Sequence, residues 1–127
     1  LVLRRQRQMC IRDSIKTLLD NRFSEIRWPV EYRTLAADDV WLSTAYEKPT
    51  VTISVHQAID EPDEPYYRAC EEIFLKYGGK PHWGKVSYVD GEQLAAMHPR
   101  WDDWWQVRDR VDPKGVFLNP YLHSIRP

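Results

Sequence analysis

The residues best equipped for chemistry are Pro81-His82-Trp83-Gly84-Lys85, which directly follow Tyr77-Gly78-Gly79-Lys80. They form a glycine-punctuated turn that presents a histidine, an indole and a lysine within four residues. Such a turn suits a loop that approaches a flat, anionic or electron-poor ligand. Gly84 admits close backbone approach, and Lys85 brings a compact cation. The competing readings are a solvated turn lysine, a turn histidine bonded to backbone, and an indole that only packs.

A second group lies on two stretches with strand patterning. Glu25–Leu35 alternates Ile26, Trp28, Val30 and Tyr32 against Arg27, Glu31 and Arg33, with Pro29 interrupting. A strand at an edge or bulge is expected. Side chains two apart share a strand face, which sets Glu31 beside Arg33. A carboxylate beside a guanidinium is a ready pair for polyol hydroxyls, and the cation favours the ionised carboxylate that a base requires. A structural salt bridge is the rival explanation. Thr50–Gln57 is the clearest strand, with Val51, Ile53 and Val55 on one face and Thr52, Ser54 and His56 on the other. A strand histidine is more often structural than catalytic, so His56 alone carries little.

Helices must hold these stretches in place. Ile15–Arg22 reads as the end of a helix, with Ile15, Leu18 and Leu19 spaced along it. The acidic, proline-punctuated run Asp60–Pro65 closes the second strand and starts a helix, with Asp63 as N-cap. That helix runs to Tyr77 with Tyr66, Ala69, Cys70, Ile73, Phe74 and Tyr77 inside and Arg68, Glu71, Glu72 and Lys76 outside. Gly78-Gly79 supplies its left-handed exit. Val40–Ser43 reads as a short extended piece and Val86–Val89 as the segment that leaves the turn. A short helix is expected over Glu92–Met97 and another over Arg100–Val111, striped by Trp101, Trp104, Trp105 and Val111. Asp112-Pro113-Lys114-Gly115 stops the latter, and Val116–Leu122 follows as a terminal packed segment. The sum is an α+β fold, a small and mainly antiparallel sheet covered by helices. No internal repeat, low-complexity tract or domain boundary is visible.

Composition narrows the function further. The 127 residues carry 18 basic and 19 acidic side chains, a balance that argues against general nucleic-acid binding. No apolar run approaches membrane-spanning length. No dinucleotide fingerprint, phosphate loop, zinc-spaced Cys/His pair or serine nucleophile elbow is present. No metal is expected: Asp102 and Asp103 without a further ligand make a weak site. The neighbouring tryptophans suggest carbohydrate stacking, but their helical spacing favours core.

The first fourteen residues stand apart. Leu1-Val2-Leu3-Arg4-Arg5-Gln6-Arg7 is basic and patternless, and Gln8–Ser14 back-translates as CAG-ATG-TGT-ATA-AGA-GAC-AGN, resembling the transposon mosaic end of sequencing adapters. Residues 1–14 are therefore read as non-native rather than as an arginine-rich targeting peptide. Setting them aside lowers the basic count from 18 to 14 and the acidic count from 19 to 18, a formal charge of −4 over residues 15–127. Cys70 is then left without a disulfide partner, which fits a reducing compartment such as the cytoplasm.

Together, His82-Trp83-Gly84-Lys85, Asn119-Pro120-Tyr121-Leu122 and Glu31-Tyr32-Arg33 resemble the C-terminal segments of one flavoprotein family. These are the FAD-linked sugar-lactone and alditol oxidases, a group spanning D-arabinono-1,4-lactone, L-gulonolactone and alditol oxidases within the vanillyl-alcohol-oxidase type. The resemblance covers nearly all of residues 27–122 and implies that residues 15–127 are a cap, or substrate, domain. The flavin would be held mainly by a separate N-terminal FAD-binding domain that this chain lacks. It implies oxidation of an aldono-1,4-lactone, by removal of a hydroxyl proton and hydride transfer to flavin, with oxygen or an external carrier taking the electrons. Glu31 and His56 become acid/base candidates, Arg33 a holder of substrate oxygens, and Lys85 the cation that steadies the reduced flavin. His82, Gly84 and Asn119 become cofactor contacts, with packing the rival role for Asn119. Alditol oxidases, by the same resemblance, carry histidine at the Ser54 position and threonine at the His56 position. This departure favours a lactone over an acyclic polyol such as xylitol or sorbitol. An inactive interaction module is the alternative from another class. The resemblance also admits membrane association, which nothing in these residues encodes. Sequencing across the genomic locus checks the reading of residues 1–14: the adapter-like codons are expected to be absent from it.

Overall fold

Ile11, Ile15, Leu18 and Leu19 recur at helical spacing, and burial of that stripe organises the first part of the chain. The computed structural model describes residues 2–127, with side-chain surroundings from residue 9 onward. Its described residues form seven elements: α1 (Val2–Arg22), β1 (Glu31–Leu35), β2 (Thr50–Ser54), α2 (Glu64–Lys76), α3 (Gly91–Met97), α4 (Trp101–Val111) and α5 (Pro120–Ser124). The fold is the expected α+β class, with one small antiparallel sheet. The chain divides into two compact units: one runs through residue 35 and resumes over Thr50–Tyr88, and the other combines Ala36–Pro49 with Val89–Pro127. The sequence shows no boundary because each unit is assembled from two separate stretches, leaving no linker between them.

In the first unit, Ile15 of α1 packs with Tyr66 and Cys70 of α2, and Phe23, Ile73 and Phe74 close around them. α1 is longer than the expected Ile15–Arg22 helix: it begins at Val2 and runs without a break to Arg22. α2 starts where Asp63 predicts, but the Asp63 side chain makes no capping bond; Pro65 in the first turn and the bond from Tyr67 N–H to Asp63 carbonyl (2.9 Å) set the start instead. Its end follows the glycines: Gly78 has φ 71° and its N–H donates to Leu75 carbonyl at 2.9 Å. Burial pushes the Cys70 thiol up to about 12, so this cysteine is a packing residue rather than a nucleophile.

Both strands are shorter than the alternation suggested. β1 begins only at Glu31, since Pro29 cannot donate to a ladder. β2 stops at Ser54 because its partner is already exhausted: Glu31 pairs with Ser54 and Leu35 with Thr50. β1 is exposed along its whole length, whereas β2 is half-buried throughout.

The second unit is built on aromatic packing. Trp101 and Trp105 are buried and cross edge-on at 5.8 Å, which makes them core, as their spacing implied. Val111 departs from that stripe and lies 72% exposed. Val40–Ser43 is turn, not extended: Asp38 accepts bonds from Val40 N–H (3.1 Å) and Ser43 Oγ (2.6 Å), winding the chain instead of stretching it. Asp90 and Gln93 form a reciprocal capping box that starts α3 one residue early, at Gly91.

The Val116–Leu122 segment is not packed in the expected way, since Val116 and Phe117 are exposed. It is pinned through its backbone instead. Buried Asp112 accepts from Val116 N–H (2.9 Å) and Phe117 N–H (3.0 Å), and it also pairs with Arg108. These backbone bonds first, and then the guanidinium, hold the Asp112 carboxyl below the usual aspartate range. An unfolded aspartate, titrating near about 3.9, therefore takes up its proton before the folded one. The stabilisation is complete above that pH and is lost as pH falls through the lower folded value. Two outcomes are expected. Ile15→Ala lowers unfolding free energy by about 2–5 kcal/mol in a denaturant titration. In acid titrations followed by tryptophan fluorescence, Asp112→Asn weakens the protein at neutral pH and flattens the loss of stability below about pH 4.

Candidate functional site

The register of the ribbon decides which polar groups meet. Glu31 stands opposite Ser54 and Arg33 opposite Thr52. Alternation then puts Glu31, Arg33, Thr52 and Ser54 on one face, and His56, two residues past Ser54, reaches the same face diagonally. One Arg33 nitrogen, Nη2, lies 3.1 Å from each Glu31 carboxylate oxygen. His56 Nε2 lies 3.8 Å from Glu31 Oε2, beyond hydrogen-bond reach. That nitrogen is buried and has no hydrogen-bond partner. An orphaned buried donor or acceptor beside a half-exposed carboxylate is the kind of gap a substrate hydroxyl fills. His56 thus joins the Glu31–Arg33 pair expected from the sequence, and the three form one cluster.

His82, Gly84 and Lys85 form a second group on a tight turn. Lys85 N–H donates to His82 carbonyl at 3.0 Å, and Gly84 N–H donates to His82 Nδ1 at 3.0 Å. That bond assigns Nδ1 as acceptor and leaves Nε2 as the outward-facing donor. Gly84 is open: a Cβ there would meet only the His82 ring, at 3.5 Å or more. The Lys85 side chain is exposed, and among the described residues no ion pair engages its ammonium. An open glycine flanked by an exposed imidazole and an exposed cation suits the anionic edge of a planar ring, which is what a flavin would present.

Asn119 lies in the other compact unit. Its Oδ1 accepts from Leu122 N–H at 2.8 Å and caps α5, a structural task that leaves only the amide NH₂ for a ligand.

Two residues to which the sequence reading gave no role at the site hold these groups. Tyr67 Oη accepts the N–H of Gln57, next to His56, at 3.1 Å. Glu71 accepts from Ser87 Oγ (2.8 Å) and from Tyr88 N–H (3.0 Å), just beyond Lys85. Glu71 was expected to face outward, but it is half-buried beneath that segment. Periodicity gave no signal for this, since an acid at the flank of an amphipathic helix reads as solvated. Among the described residues, no group of three or more His, Cys, Asp or Glu side chains could hold a metal ion. Nor is any helix there long and apolar enough to cross a membrane.

Comparison with known proteins converges on one group. Residues 4–125 match the family model of D-arabinono-1,4-lactone oxidase, a match that begins before the adapter-like Gln8–Ser14 and runs across it. The chain is 43% identical over 117 residues to an L-gulono-1,4-lactone dehydrogenase of Mycobacterium tuberculosis, covering 90% of this chain and 27% of the relative. It is 32% identical over 117 residues to an L-gulonolactone oxidase of Scyliorhinus torazame, covering 88% of this chain and 27% of the relative. An alditol oxidase of a Streptomyces species is 31% identical over 116 residues, covering 91% of this chain and 26% of the relative. The chain therefore spans about a quarter of the length of the curated relatives it matches. With its motifs, its α+β fold and a family match over nearly its whole length, the chain belongs to the D-arabinono-1,4-lactone oxidase family.

Proposed function

We propose that this chain is the substrate-domain part of an FAD-dependent oxidoreductase that oxidises a CH–OH group of an aldono-1,4-lactone of the D-arabinono or L-gulono type. The observation that carries the reading is the Glu31–Arg33–His56 cluster, with a buried, unpartnered imidazole nitrogen 3.8 Å from a carboxylate oxygen. In this reading Arg33 orients Glu31 and offers its remaining N–H donors to substrate oxygens. Glu31 and His56 flank the reacting hydroxyl, and one of them takes its proton as the carbonyl forms. FAD, when bound, supplies the acceptor for the hydride that leaves the same carbon. Lys85 and the His82 Nε2–H face negative charge that develops at the reduced ring, and Gly84 keeps that approach clear.

Histidine at position 56, where the alditol-oxidase pattern has threonine, supports a lactone over an open-chain polyol. A ring hydroxyl is held in a fixed orientation, so one imidazole and one carboxylate suffice to address it. The FAD-binding domain is assigned to a separate region upstream. The electrons pass on to oxygen or to an external carrier.

The test is rapid-mixing spectroscopy on the full-length gene product with bound flavin, following bleaching of the flavin band under anaerobic conditions. L-Gulono-1,4-lactone or D-arabinono-1,4-lactone is expected to reduce it faster than xylitol does. Glu31→Gln and Lys85→Met are each expected to slow the reduction by about a hundredfold or more. Preference for xylitol would assign an alditol oxidase instead. Residues 15–127 alone should purify colourless; a yellow preparation would overturn the assignment of FAD binding to a separate domain.

A further inference from the structure

The two candidate groups are carried by segments with little regular structure of their own. β2 ends at Ser54, so His56 sits two residues beyond the last ladder pair. Lys85 lies in a turn, and residues 85–90 contain no helix or strand. Side chains placed this way would wander by more than chemistry tolerates unless something rigid held them.

α2 supplies that hold at two points one helical turn apart. Tyr67 and Glu71 stand at i and i+4, hence on one face of the helix. Tyr67 Oη accepts the Gln57 N–H at 3.1 Å, anchoring the chain at the residue after His56. Both Glu71 oxygens reach Tyr88 N–H, at 3.0 and 3.1 Å, and Oε1 also accepts from Ser87 Oγ at 2.8 Å. Neither anchor is free to drift. The Tyr67 ring packs against Tyr66 at 5.6 Å, and Tyr66 is buried in the core against Ile15. Arg68, between the two anchors, lays its guanidinium over the Tyr88 ring at 3.9 Å while paired to Glu64 at 2.8 Å.

We infer that Tyr67 and Glu71 are positioning residues: one face of α2 acts as a jig that sets His56 against Glu31 and, independently, fixes the Lys85 turn. The inference rests on the proposed function for its purpose, but not for its test, which needs neither flavin nor lactone. Tyr67 acts through the His56 segment, and Glu71 acts through the segment that leaves Lys85. The two effects are separable because each bond ends on a different stretch of chain.

The experiment is heteronuclear NMR on the 127-residue chain, comparing Tyr67→Phe, which deletes the phenol acceptor, with Glu71→Met, which deletes the carboxylate at similar length. Tyr67→Phe is expected to drop backbone order parameters of residues 55–58 from about 0.85 towards 0.6 or below, leaving residues 82–88 unchanged. Glu71→Met is expected to do the reverse. A second readout is the response of the His56 ring signals to Glu31→Gln. That response should fall by at least half in the Tyr67→Phe background and persist in the Glu71→Met background. A purely structural role would lower stability without altering that pairwise response. If Tyr67→Phe unfolds the chain, Tyr67→Leu, which also removes the phenol acceptor, decides by the same criteria. Loosening of both segments by either variant, loosening of neither, or an undiminished His56 response overturns the inference.

Discussion

Burial of Tyr66 and Cys70 against Ile15 is the contact on which the first unit depends. It is an apolar interface between two helices, driven by removing hydrocarbon and ring surface from water. Its importance lies in what it orients. With Tyr66 and Cys70 turned inward, Tyr67 and Glu71 are brought to the flank of α2, where they meet the ends of irregular segments. A two-stranded ribbon is marginal by itself, and β1 lies exposed over its full length. The ribbon and the turn gain their definition from the helix rather than lending it any.

Polar interactions in the two units answer different needs. Asp112 and Arg108 are both nearly enclosed, and the carboxylate is saturated by two backbone N–H groups as well as the guanidinium. That pattern describes a fastener: both carboxylate oxygens are engaged inside the fold, so little remains for a ligand. Glu31, Arg33 and His56 show the opposite pattern. The carboxylate and guanidinium are substantially exposed, and the neighbouring imidazole nitrogen is buried without a partner. Incomplete satisfaction beside an accessible charge pair is the feature on which the proposed substrate site rests.

Several features were legible because they depend on neighbours close along the chain. The helical stripe of Tyr66, Ala69 and Cys70 marked α2, and Gly78 marked its end through the positive φ it adopts. The pairing of Glu31 with Arg33 followed from strand alternation and is present at 3.1 Å. Other expectations failed where a partner elsewhere sets the outcome. The alternation of residues 25–35 continues through Trp28, yet pairing starts only at Glu31, past a proline that offers no donor. Val116 and Phe117 read as apolar packing, but Asp112 captures their backbone and leaves their side chains in water.

The sequence by itself determined the family, the α+β class and the residue types able to address a hydroxyl and an anionic ring, because motifs, periodicity and turn chemistry are local properties. Only the tertiary structure decided that His56 faces Glu31. Their proximity depends on the antiparallel register, and a slip of one residue would send His56 to the opposite face. The structure alone also revealed Tyr67 and Glu71 as anchors. Each bonds to a backbone N–H 10 or 17 residues away along the chain. A backbone N–H has no residue identity, so nothing in the letters of the sequence marks where such a bond will end.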